Sequence, residues 1–228
     1  GLVTSSGEVW KRHRRIIQPV FHRSRMAAMA SRMAEVGEQR LAGWAAHGGQ
    51  PVDIADEMMQ LTLEVISQTM FHTSVAEHID QISHSLRVSL KYAFDSFHNP
   101  VRLPAWVPTA RNREFSRALR FMDRLIYELV AARRQSGAQY DDLLNLLLQA
   151  RDEETGMGLS DQEVRDEALT IFAAGHETTA NALAWTWYLL ATHQEVRARF
   201  HAEVDRILQG RIPTADDLHH LPYTRAIF

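Results

Sequence analysis

Apolar residues recur at three- and four-residue steps along nearly the whole chain, and Gly and Pro gather where that rhythm stops. Ser5 with Glu8 three residues on has the spacing of a capping box and opens a helix carrying Trp10, Arg14 and Ile17, which Pro19 interrupts. A second helix is expected from about Arg23 to Ala46, closed by Gly48 and Gly49, and a third from Asp53 to about Phe71, with Ile54, Met58, Leu61, Val65 and Met70 forming a stripe toward a core. A fourth runs from Ala76 to Phe97. The segment NPVRLPAWVPT, with Pro100, Pro104 and Pro108, is then a stiff apolar loop. Helical spacing resumes from about Arg111 to Arg134 and ends at Gly137. A shorter helix lies in YDDLLNLLLQARDEE, and Gly156 and Gly158 mark a turn. Ser160 and Glu163 form another capping-box pair, and no proline follows until Pro213. If that helix continues to about Thr192 it is roughly 48 Å long at 1.5 Å per residue. QEVRARFHAEVDRILQG gives a further helix, and LPYTRAIF begins another. No segment alternates long enough to argue for a strand. The pattern is therefore all-α, without repeats, and residues 1–228 are taken as one structural unit.

The long helix carries FAAGHETTANAL, residues 172–183, at its middle. His176 and Glu177 begin a zinc-protease signature, but the position of its second histidine, one helical turn on, is Ala180. The zinc reading fails on spacing. What remains is a face of small residues: Ala174, Thr178 and Ala182 at four-residue intervals, flanked by Gly175 and Thr179. Gly inside a helix costs about 1 kcal/mol relative to Ala, so a close neighbour is expected there. Thr178 can return its hydroxyl to the carbonyl of Ala174, a bond that tends to bend or widen a helix and leave a groove. Glu177 adds a group able to move protons. The pattern alone also admits plain helix packing, with Glu177 in solvent and His176 a hydrogen-bonded structural residue.

Composition narrows the classes. The chain has 228 residues, 45% of them hydrophobic, and 25 basic against 28 acidic residues leave a net charge of −3. No general field attracts nucleic acid. There is no run of 18 uncharged apolar residues and no export signal at Gly1, so nothing in these residues is expected to span a membrane. A soluble, cytoplasmic protein is expected, with an upstream targeting segment or membrane anchor left open. Twelve histidines, including His219 and His220 in a polar turn, show no obvious third ligand, and no metal site is assigned. The absence of cysteine excludes disulfides and thiolate ligation by these residues.

AAGHETT resembles the oxygen-binding segment on the central helix of the cytochrome P-450 family, the haem-thiolate monooxygenases. Ala174, Gly175, Glu177, Thr178 and Thr179 match its pattern position by position. WKRHRR resembles the family's Trp-x-x-x-Arg helix, with Trp10 and Arg14 in place, and LPYTRAIF looks like the lead-in to the family's Glu-x-x-Arg helix.

The resemblance implies a partial cytochrome P-450 fold with a long central helix, lacking the N-terminal elements, the Glu-x-x-Arg helix and the cysteine haem loop. It implies haem b, iron protoporphyrin IX, as cofactor, with Ala174 and Gly175 lying against it and Trp10 and Arg14 bonded to a propionate. Thr178 and Glu177 are then the catalytic pair, handling the haem-bound dioxygen and its protons. Phe94, Phe97 and Phe172, with the loop around Leu103 to Trp106, are candidates for a pocket holding a fatty acid, terpene or other lipophilic substrate. O2 and an electron donor such as a ferredoxin or flavoprotein reductase are the implied partners, with Lys11, Arg12 and Arg15 available to dock it. Without the cysteine loop the chain alone is expected to be inactive. The alternatives are a helical protein-interaction module and, through residues 11–15, a nucleic-acid binder, which the near-neutral charge disfavours.

Overall fold

The computed structural model describes residues 1–46, 48–98, 104, 106–138, 140–152 and 156–228. Among them there are helices and turns but no strand, apart from an isolated antiparallel bridge between Arg151 and Gly158. No helix among them is long and apolar enough to cross a membrane. The α-helices are α1 (Gly7–Ile17), α2 (Arg23–Ala46), α3 (Ile54–Met70), α4 (Ile79–His98), α5 (Ala110–Ser136), α6 (Leu143–Gln149), α7 (Asp161–Thr192), α8 (Gln194–Leu208) and α9 (Pro222–Ile227).

Local chemistry explains most of the boundaries. The Asp53 carboxylate accepts from the amides of Ala55 and Asp56, Thr109 accepts from Asn112, and Asp142 accepts from Asn145, so α3, α5 and α6 each start on a side-chain acceptor. Gly137 ends α5 at φ 60°, where a side chain would be strained. At α7 the expected capping box is complete. The Ser160 amide donates to Glu163 Oε2 at 2.8 Å, and the Glu163 amide donates to Ser160 Oγ at 3.3 Å. The box expected at Ser5 is not formed. The Ser5 amide bonds to the Gly1 carbonyl, and Glu8 pairs with Lys11 at 2.8 Å, so α1 begins only at Gly7. The fourth helix also starts later than its spacing suggests, because Ala76–His78 form a 3-10 turn.

The fold divides into two compact units, and the division falls inside α7, between Ala173 and Ala174. Unit 1 comprises Gly1–Ile17 and Val75–Ala173. In it α4 packs on α5, where Tyr92 and Phe115 stack with centroids 4.0 Å apart, and its core includes Ile82, Leu86, Met122, Ile126, Leu144 and Phe172. Arg133 and Asp142, both buried, form a two-bonded ion pair at 2.8 and 2.7 Å, and the guanidinium lies over the Tyr140 ring. Unit 2 comprises Gln18–Ser74 and Ala174–Phe228, with α2 packed on α3 and α8 on α9. There Glu57 of α3 accepts from Arg40 Nε and Trp44 Nε1 of α2, both at 2.5 Å. Glu203 of α8 accepts the amides of Tyr223 and Thr224, fixing the start of α9.

The Arg133–Asp142 pair sets a test of unit 1. Asp142→Ala removes the α6 cap and leaves a buried guanidinium without its carboxylate, which costs about 3 kcal/mol or more. Urea unfolding is expected to show that loss, and a change below about 1 kcal/mol contradicts the role given to the pair.

Candidate functional site

In unit 1, α1 is a strongly basic helix, and its cations are taken up one by one. Lys11 pairs with Glu8 at 2.8 Å, Arg12 with Glu163 at 2.6 Å and Arg15 with Asp152 at 3.0 Å. His13 is 3% exposed, and both of its ring nitrogens face carboxylates of α7, Nδ1 at 2.6 Å from Glu167 and Nε2 at 3.1 Å from Glu163. Capping, His13 and Arg12 hold the Glu163 carboxyl below its ordinary range, against a desolvation that acts to raise it. Trp10 and Arg14 are different. Both are exposed, and among the described residues neither the indole N–H nor the guanidinium has a partner. They are one helical turn apart and so share a face.

That is the donor set a carboxylate needs: a planar cation with paired N–H groups beside a neutral N–H, both unspent. On this observation Trp10 and Arg14 fit a haem propionate. Lys11, Arg12 and Arg15, the residues available to dock an electron-transfer partner, are each ion-paired with a carboxylate of their own chain.

In unit 2, the middle of α7 sorts its residues sharply. Ala174, Thr178 and Thr179 are exposed, as is Ala182 a turn further on, so the expected strip of small side chains is uncovered by neighbours within this unit. Thr178 Oγ1 donates to the Ala174 carbonyl at 2.6 Å, as its spacing implies. The helix nevertheless runs without interruption from Asp161 to Thr192, so the bond opens no break in the backbone. The hydroxyl oxygen, its hydrogen spent on Ala174, keeps lone pairs for an incoming donor. Glu177 is half-buried and has no hydrogen-bond partner among the described residues.

Gly175 has a separate cause. A Cβ there would meet Ile66 Cδ1, so the bare position leaves room for the tip of that α3 side chain. His176 is 2% exposed, and its Nδ1 lies 3.1 Å from Thr62 Oγ1 of α3. Thr62 also reaches the His176 carbonyl at 3.2 Å and the Met58 carbonyl at 2.8 Å. Burial pushes the His176 imidazole down to about 4, keeping it neutral. The histidine of the broken zinc signature is thus a polar contact inside unit 2. Among the described residues no group of three or more His, Asp or Glu side chains is arranged to hold a metal ion.

The aromatic candidates in unit 1 separate. Phe172 is fully buried in the core, whereas Phe94 and Phe97 are 63% and 83% exposed. Much of the proline-rich loop, Leu103 included, lies outside the described residues. Within it Asn112 of α5 holds the carbonyls of Pro104 and Val107, each at 2.9 Å, and Trp106 is exposed. Unit 2 also has an open apolar groove of about 410 Å³ where the end of α7 meets α8 and α9, lined by residues such as Leu189, Val196, Tyr223 and Ile227. None of the three phenylalanines lines it.

The His13 cluster carried no signal in the sequence. Its partners are about 150 positions away on another helix, and no local spacing joins them.

A family model described as cytochrome P450 (here P-450) matches residues 1–228. The chain is 40% identical over 227 residues to cyclooctat-9-en-7-ol 5-monooxygenase of Streptomyces melanosporofaciens, covering 99% of this chain and 49% of that protein. It is 33% identical to pentalenene oxygenase of Streptomyces avermitilis, covering 100% and 50%. It is 32% identical to a bifunctional cytochrome P-450/NADPH–P-450 reductase of Gibberella moniliformis, covering 100% and 21%. A crystal structure of a cytochrome P-450DA haem domain superposes with a TM-score of 0.87 at 34% identity, over 100% of this chain and 50% of that one. The chain therefore spans about half the length of the Streptomyces relatives it matches.

His176 supplies a pH test. Its pKa is about 4 in the fold against an ordinary 6.5, so below pH 6.5 the unfolded chain binds a proton that the folded one does not. The group costs nothing above that pH, and its penalty grows as the pH falls toward 4. Between pH 7 and pH 5 the loss is about 2 kcal/mol. Chemical denaturation at the two pH values should show His176→Gln losing less stability over that interval by about this amount. An equal loss in both proteins means that the imidazole is not held neutral.

Proposed function

Since the chain belongs to the cytochrome P-450 family, we propose that the complete protein is a haem-dependent monooxygenase that inserts one oxygen atom of O2 into a lipophilic small molecule. The observation that carries the reading is the pair of unspent donors on α1: every other basic residue of that helix has a carboxylate, while Trp10 and Arg14 are exposed and have none among the described residues. In unit 1, Trp10 and Arg14 hold a propionate of haem b; in unit 2, Ala174 is small and exposed, free of bulk toward a flat ligand. Haem b, when bound, supplies the dioxygen chemistry. Thr178 accepts a hydrogen bond through its hydroxyl oxygen, or donates one by rotating away from Ala174. Glu177, half-buried and without a hydrogen-bond partner among the described residues, takes protons from solvent and passes them inward. The thiolate that the family's iron requires is not among residues 1–228, which contain no cysteine, so this span alone neither binds haem in thiolate form nor turns over substrate.

The substrate class is a terpene. Two relatives that match over nearly the whole chain are named for the oxidation of cyclooctat-9-en-7-ol and pentalenene, names that denote an unsaturated alcohol and a hydrocarbon. Electrons come from a ferredoxin or a flavoprotein reductase. The Gibberella relative's name joins a reductase to the oxygenase, which supports a flavoprotein of that kind.

The full-length protein, reduced under carbon monoxide, is expected to give the thiolate-type Soret band, and residues 1–228 alone are expected not to. Thr178→Ala is expected to lower product formed per O2 consumed roughly tenfold or more at unchanged haem content, with Thr178→Ser retaining most of it. Undiminished coupling in Thr178→Ala removes the hydroxyl from the mechanism.

A further inference from the structure

The cluster of His13, Glu163 and Glu167 takes no part in the chemistry proposed above, yet it is closely bonded, with His13 and Glu167 buried and Glu163 half-buried. Glu167 is fully buried; one carboxylate oxygen meets His13 Nδ1 at 2.6 Å and the other accepts the Leu2 amide at 3.0 Å. Both imidazole nitrogens face carboxylates, and both bonds can form only if the cluster holds one proton more than a neutral imidazole with two carboxylates. Hydrocarbon side chains of similar volume would hold α1 against α7 at least as firmly, because desolvating charges offsets much of their attraction. What hydrocarbon cannot supply is direction.

The geometry supplies it twice over. Glu163 and Glu167 are four residues apart, so their carboxylates stand one turn apart along α7, about 6 Å. A single imidazole bridging both fixes the rotation of α1 about its axis and its height along α7 together. Arg12, also on Glu163, reinforces the same register. His13 is the residue immediately before Arg14, and at about 100° per residue its pinned side chain determines where Arg14 and Trp10 point.

We propose that His13 is a positioning residue: clamped by Glu167 and Glu163, it sets the rotation of α1 and thereby aims the donors of Trp10 and Arg14 at the haem carboxylate. The inference rests on the reading that those two residues hold that carboxylate.

The test is a double-mutant cycle in the full-length, haem-loaded protein, with haem transfer to apomyoglobin as the rate and the propionate bending mode in resonance Raman as the signature. His13→Asn is expected to speed haem release on the order of tenfold, a typical effect of removing a group that orients a ligand. It is expected to shift the propionate mode in the same direction as Arg14→Ala. In the Arg14→Ala background the same change should add little, because there is no longer a guanidinium to aim. If His13→Asn does not fold, Glu167→Gln, which keeps the shape but weakens the bond, takes its place with a smaller effect obeying the same rule. Equal acceleration in both backgrounds, or none in either, overturns the positioning role and leaves the cofactor reading intact. An Arg14→Ala protein that releases haem at the parental rate sinks the cofactor reading, and this inference with it.

Discussion

The carboxylates on the first turns of α7 decide what α1 shows to its surroundings. Glu163 and Glu167 engage Arg12 and His13, and Asp152 engages Arg15, so a helix that looks uniformly basic in the sequence is electrostatically spent on one side. Only after that pairing do Trp10 and Arg14 stand out as donors without an acceptor among the described residues. The energy of such partly buried pairs is modest once desolvation and solvent screening are counted, and their larger effect is on orientation. A cofactor carboxylate needs donors already pointed at it, since ordering them at the moment of binding subtracts from affinity.

The middle of α7 works by a similar division of faces. On one side His176 reaches Thr62 of α3, and Gly175 leaves room for the tip of the Ile66 side chain. On another, Ala174, Thr178 and Ala182 remain exposed and small. One polar contact, that of His176, sits inside packing that is otherwise apolar, and the strip of small side chains lies outside it. A buried imidazole held neutral is tolerated because Thr62 is beside its Nδ1, and an exposed strip of small side chains suits a flat ligand.

Much of this organisation is legible in the order of residues alone. The bounds of α2 and α7 follow from Gly48 and Gly49, from the Ser160–Glu163 box and from an unbroken helical period. Thr178 bonds to Ala174 because a threonine four residues along a helix has little else within reach. Where the local pattern misleads, a competing interaction wins. Glu8 prefers Lys11 to Ser5, and the Ser5 amide prefers the Gly1 carbonyl, so the first capping box dissolves. Phe94, Phe97 and Phe172 look alike in sequence, yet Phe172 is enclosed in the core of unit 1 and the other two are exposed, a difference that packing alone creates.

The sequence by itself determined the helical class, most helix ends, the small-residue strip and the residues that carry the family resemblance, because each depends on neighbours within a turn or two. Tertiary structure decided which of the five basic residues of α1 are free, why Gly175 is bare and what His176 is for. Those answers depend on partners more than a hundred positions away, such as Thr62 for His176 and Glu167 for His13. Charge pairing at such separations is specified by the way helices pack, and helical periodicity records only which face is apolar.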